Sequence, residues 1–551
     1  MKLRTLLASA TVLALAAVVA APLTAQTVER PIAPLRTGSG LVAGKILPSG
    51  VKAWFGVPYA KPPTQDLRWK PPQPISWRGV WNADRIMPEC MQVLRPHNIN
   101  HYFGEEPTSE NCLYANIWAP ATARAGAKLP VIVFLYGGGS TIGSSGMASY
   151  GGETVARRGA VFVNFNYRVG ILGFMAHPEL SKEQGGHSGN YAYLDQNAAL
   201  KWIHANIAQF GGDPNKVVIM GQSAGASSVV QQTFSPLSKG LFRGAVMSSG
   251  CSWGGTGTTL AQGEAVGLDV QKRLGAPDLD AMRQVPADRL IAMQQEAQVG
   301  VSVQGVRVGA IIDGYFAPKS QMAILQAHEV NDVPIIASFN HDEAANALSN
   351  AKTVAEYQDV ARKMFGATAD EFLRLYPVTS DAQIASVGGA AAREMGLESN
   401  ARKCAQLQTQ FNTSKAYIDT FSRKHPYTPG VNIADQDIAT VGAYHTSDIP
   451  YFFGTFDAFN MFRPTRNWTP QDVALSQKMT AALIAFANTG NPSTAAVKWP
   501  AWTPASEQKV EFGADTNVRV VPLNTKALDF FAAHPATPVP INAPPRLGPR
   551  D

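Results

Sequence analysis

Lys216-Val217-Val218-Ile219-Met220-Gly221-Gln222-Ser223-Ala224-Gly225-Ala226 is the stretch on which the fold turns. Its apolar residues, 217–220, fall on odd and even positions alike, as a strand buried on both faces of a sheet requires. Residues 221–225 then read G-x-S-x-G, and 226–234 are compatible with a helix. A serine on a tight strand-to-helix turn has its hydroxyl clear of the sheet, and small flanking residues relieve the crowding there. With 48 glycines in the chain, a bare G-x-S-x-G arises easily by chance, so the strand before it and the helix after it give the motif its weight.

Similar near-continuous apolar runs occur at 131–136, 160–165, 245–247, 333–337 and 416–421. Between them lie helical spacings, such as Leu200, Ile203, Ile207 and Phe210. Alternating strand and helix predict an α/β protein with a central, mostly parallel sheet flanked by helices. Residues 253–332 and 344–412 interrupt the alternation with Gln-, Ala- and Gly-rich helical sequence, and are expected to be cap insertions over the site. Gly38-Ser39-Gly40-Leu41-Val42-Ala43 echoes a dinucleotide-binding turn without a βαβ context and reads as an early hairpin. The tail, 534–550, is proline-rich and expected to be irregular.

At 551 residues, 45% hydrophobic and 16% charged, the chain has the composition of a large globular protein. Lys2 and Arg4, an apolar run over 6–21, and Leu23-Thr24-Ala25 predict an export leader over residues 1–25, short for a membrane span. One catalytic domain, 26–551, would follow, secreted or periplasmic. Losing Lys2 and Arg4 trims a net charge of only +6, and without long basic blocks no nucleic-acid partner is expected. The four cysteines form an even set, which export allows to pair. No H-E-x-x-H and no G-x-x-x-x-G-K-[ST] occurs, so neither a metal nor a cofactor is expected.

A serine nucleophile needs donors for the developing oxyanion, a base, and a carboxylate to orient the base. Gly137-Gly138-Gly139, ending the 131–136 run, can turn backbone N–H groups inward. In this chain order the base follows the acid, and His328, His341, His425, His445 and His534 lie after Ser223. His445 stands in a loop beyond the 416–421 run, where a base reaching the sheet edge belongs. Asp342 and Glu343 follow the 333–337 run, and spacing alone does not choose between them.

Taken together these residues resemble the type-B carboxylesterase family of α/β-hydrolases, which includes cholinesterases and bacterial esterases of nitrobenzyl esters. The landmarks are Phe55-Gly56-Val57-Pro58-Tyr59-Ala60, Ser109-Glu110-Asn111-Cys112-Leu113-Tyr114, the triple glycine, Asn166-Tyr167-Arg168-Val169-Gly170, Phe210-Gly211-Gly212-Asp213-Pro214 and the Ser223 turn, in order. The resemblance implies a small-molecule ester as substrate, with Ser223 as nucleophile, His445 as base and Glu343, rather than Asp342, as acid. It implies an oxyanion hole from the N–H groups of Gly138, Gly139 and Ala224, and a serine, Ser249, that holds the acid. It also implies a Cys90–Cys112 disulfide, and matches a Cys251–Cys404 pair less clearly. Gln222 stands where cholinesterases have Glu, Ser140 where the family often has an aromatic residue, and no Trp lies between Cys90 and Cys112. Together with Arg95, His97, His101, Tyr102 and Phe103 in that loop, these departures predict neutral or anionic esters and no preference for choline.

Overall fold

A computed structural model describes residues 29–93, 107–298, 309–433, 436–513 and 517–540. The leader expected over 1–25 and the loop residues Arg95, His97, His101, Tyr102 and Phe103 lie outside them. The core is a twelve-stranded sheet. Its strands are β1 (Arg30–Pro31), β2 (Lys45–Ile46), β3 (Lys52–Pro58), β4 (Tyr114–Ala119), β5 (Leu129–Leu135) and β6 (Val161–Phe165). They continue with β7 (Gly212–Gln222), β8 (Gly244–Ser248), β9 (Ile335–Asn340), β10 (Ala416–Phe421), β11 (Gln508–Phe512) and β12 (Val518–Pro522). The spatial order is β1-β2-β3-β4-β6-β5-β7-β8-β9-β10-β11-β12.

The seven strands from β6 to β11 run parallel, as the doubly apolar runs predict. The flanks do not: β1 to β4 and the β11–β12 pair are antiparallel. Helices α1 (Tyr191–Asn206) and α2 (Ala224–Phe234) connect the central strands. The 38–43 stretch forms the expected hairpin, Leu35 pairing with Val42 and Thr37 closing on Gly40.

The sheet order reverses around β5, whose successor β6 lies on one side and β7 on the other. A crevice forms at the carboxyl ends of strands at such a switch point, because the connections leave in opposite directions. Gly137 leaves β5 and Ser223 leaves β7 at that crevice, with Phe134 opposite Met220 and Leu135 opposite Gly221 in register. An ion pair braces the nearby loop: Arg168 Nε and a second guanidinium nitrogen reach both Asp195 oxygens at 2.8 and 2.7 Å, and both side chains are buried.

The described residues of the stretch 253–332 are largely helical, including Leu260–Leu274 and Gln321–Gln326. Residues 344–412 are also largely helical, ending in α3 (Ser399–Phe411). The second stretch builds its own apolar cluster around Tyr357, Phe372 and Ile384, closed by Phe530 and Phe531 of the helix Thr525–Ala533. Among the described residues no helix is long and apolar enough to cross a membrane, and no group of His, Cys, Asp and Glu could hold a metal ion.

Candidate active site

Ser223 sits at φ 58° and ψ −125°, a conformation that costs a side-chain-bearing residue about 1–3 kcal/mol. The strain is held by neighbours: the Ser223 N–H donates to Ser248 O at 2.8 Å, and Ser223 O accepts from the Ser227 N–H. Close approach makes the flanking glycines necessary. A Cβ on Gly221 would lie 2.1 Å from Gly225 O, and one on Gly225 would lie 2.1 Å from Leu135 O.

Glu343 follows β9, and the Asn340 N–H donates to its Oε1 at 2.7 Å. Its Oε2 lies 2.5 Å from His445 Nδ1, with the Glu343 side chain 1% exposed and that of His445 42% exposed. Burial disfavours a charged imidazole, but the hydrogen bond and charge of Glu343, with Asp448 behind, outweigh it and raise the His445 pKa above the ordinary histidine value. Asp448 is itself buried, accepting from Ser248 Oγ at 2.6 Å and Asn340 Nδ2 at 3.1 Å. Asp342 points elsewhere: its carboxylate accepts the Ala443 N–H at 2.8 Å and meets His341 Nδ1 at 2.7 Å, clasping the loop that carries His445.

The remaining histidines fall outside this group. His328 pairs with Phe411 O, and His534 packs against Phe530. His425 is buried and bonded to Ser447 O; burial, with Arg466 beside it, pushes its pKa down to about 3.

Ser249 departs from expectation. Its hydroxyl is buried without a hydrogen-bond partner and does not hold the acid. The backbone bends there at φ 55°, its N–H is spent on Ser338 O, and the oxygen of Glu343 turned away from His445 takes the Asn340 N–H instead.

Gly138 and Gly139 adopt φ 113° and 63°. Their N–H groups, and that of Ala224 at the start of α2, enter no turn or ladder bond among the described residues. Gln92 anchors the far end of this loop, exchanging bonds of 2.7 and 2.9 Å with the Gly143 N–H and C=O. The Cys90–Cys112 disulfide stands beside it. The second disulfide, Cys251–Cys404, ties the loop after β8 to α3. Sequence reasoning missed Gln92, Asn340 and Asp448, because an isolated amide or carboxylate carries no motif; nearness to Cys90, to Glu343 and to His445 was the only available signal.

A cavity of about 230 Å³ opens beside α2, its wall apolar at Val230, Phe234, Ile311, Ile312 and Phe316 and polar at Ser227, Gln321 and Lys319 among others.

Three comparisons bear on this arrangement. The sequence model of the carboxylesterase family matches residues 30–531. The chain is 36% identical to fumonisin B1 esterase of Sphingopyxis macrogoltabida over 495 residues, 87% of this chain and 86% of that protein. It is 29% identical to para-nitrobenzyl esterase of Bacillus subtilis (strain 168) over 493 residues, 88% of this chain and 95% of that protein. A solved PNB esterase structure superposes with a TM-score of 0.73 at 28% identity, covering 90% of this chain and 99% of the other.

Proposed function

The chain belongs to the carboxylesterase family and is a carboxylic-ester hydrolase, and on that premise we propose that it works through an acyl-enzyme on Ser223, with His445 as base and Glu343 as the orienting acid. The observation that carries the reading is the 2.5 Å bond between buried Glu343 and His445 Nδ1, which puts the ring proton on Nδ1 and leaves Nε2, near the Ser223 turn, as the nitrogen that can accept a proton. Ser223 Oγ attacks the ester carbonyl carbon as its proton passes to His445 Nε2. The C=O π electrons move onto oxygen, where the N–H groups of Gly138, Gly139 and Ala224 receive the charge. Collapse breaks the bond to the alcohol, which leaves with the proton from His445. Water then repeats the sequence on the acyl-enzyme and frees the acid.

The cavity beside α2, apolar on one part of its wall and polar on another, suits an organic acyl or alcohol group that carries polar substituents. No Trp lies between Cys90 and Cys112 and Gln222 is uncharged, which supports neutral or anionic esters over choline esters. Two disulfides and the basic-apolar start of the chain support export after removal of residues 1–25. The helical stretches 253–332 and 344–412 are read as insertions into a single catalytic domain. A narrower reading, hydrolysis of fumonisin-type esters, draws on the 36% identity to fumonisin B1 esterase, and an assay on fumonisin B1 decides it.

The test is Ser223→Ala with a nitrophenyl ester. A folded variant whose kcat/KM drops by about 10⁴-fold or more supports the reading, and retained hydrolysis removes Ser223 from the reaction.

A further inference from the structure

The group that meets the second ring nitrogen of His445 is not the serine. Gln222 Nε2 lies 3.1 Å from His445 Nε2, whereas Ser223 Oγ forms no hydrogen bond with a described residue. With Nδ1 committed to Glu343, the neutral ring carries its proton on Nδ1 and its lone pair on Nε2. A glutamine amide has two N–H bonds to give, and one is directed at that lone pair.

Gln222 is in no position to swing away freely. It is the last residue of β7, opposite Ser248 of β8, and is buried. A Cβ on Gly137 would come within 3.0 Å of its Oε1, so the side chain is wedged between the start of the triple glycine and the base.

We infer that Gln222 is a positioning residue that holds His445 Nε2 beside the Ser223 turn and keeps the ring neutral until substrate arrives. The inference rests on His445 being the base. Its chemistry follows from which form of the ring can accept the bond: neutral imidazole accepts from the amide, imidazolium cannot. The charged groups that bear on His445 are Glu343, from the loop after β9, and Asp448, at the start of the helix that follows the His445 loop. Both are carboxylates and both favour imidazolium, so the Gln222 bond acts on the same side as burial, against them. A glutamate at 222 would add a third carboxylate, at the nitrogen that must stay unprotonated.

The experiment is the pH profile of kcat/KM for wild type, Gln222→Glu and the near-isosteric Gln222→Met, using one nitrophenyl ester, with His445→Ala as a control. The acid limb is expected to move up by about one pH unit or more in Gln222→Glu, and by less, in the same direction, in Gln222→Met. A limb that stays in place in both variants while His445→Ala is inactive overturns the role of Gln222 alone. An active His445→Ala overturns the assignment of the base on which the inference stands.

Discussion

Asp342 and Glu343 are adjacent in the chain and part company in space. Glu343 turns inward to His445 at 2.5 Å, while Asp342 turns to the Ala443 N–H and supports the loop from outside. In the proposed mechanism only Glu343 fixes the tautomer of the base, so Glu343→Gln is expected to lower kcat by about 10⁴-fold, and Asp342→Asn, losing part of one clasp, by no more than about tenfold. Steady-state kinetics of the two variants give the ranking, and the reverse order would move the acid to Asp342. The raised pKa of His445 adds that wild-type hydrolysis should fall off on the acid side with a midpoint above about 6.5. At this scale spacing narrowed the acid to two neighbours and only the family resemblance favoured Glu343, because a turn's rotation is set by what packs around it. Ser249 illustrates the same limit: a hydroxyl's presence is legible, but whether it finds a partner is not.

Strands β9 and β10 end in a buried polar layer behind the base. Asp419 of β10 accepts from Ser338 Oγ of β9 at 3.0 Å and is fully buried. Burial pushes its carboxyl well above the usual range, against the Ser338 bond and helped by the nearby charge of Asp448. The folded protein therefore holds this proton at pH values where the unfolded chain has released it, and stability drops as pH rises from about 4 through the raised value. Asp419→Asn removes that dependence: its Tm, relative to wild type, should climb as pH rises from 4 toward neutrality, read by thermal unfolding at several pH values. A constant difference would contradict a raised Asp419. The elements legible in sequence were those buried on both faces, such as 217–220 and 131–136. Two-residue strands such as Arg30–Pro31 and Lys45–Ile46 are too short to carry an apolar run, and half-exposed β12 has its valines interrupted by Arg519, so they become strands only because a ladder partner lies alongside.

Across the whole molecule there are two apolar clusters, and both disulfides lie within the larger one. Cys251–Cys404 closes 153 residues and links the loop after β8 to α3, whereas Cys90–Cys112 closes 22. Loop entropy assigns them about 5 and about 3 kcal/mol. The Cys251→Ala/Cys404→Ala variant should therefore unfold at lower denaturant than Cys90→Ala/Cys112→Ala, and the opposite order would show that local packing dominates. The separate cluster around Tyr357 and Phe530 was not legible, since it joins the second helical stretch to a helix some 150 residues further on. What the distant parts converge on is one serine at the carboxyl edge of β7. The most direct measurement is mass spectrometry of the enzyme inactivated by an organophosphonate: the proposed mechanism predicts one adduct per chain, on Ser223, appearing in step with loss of ester hydrolysis, and hydrolysis that survives full labelling, or an adduct on another residue, would contradict it.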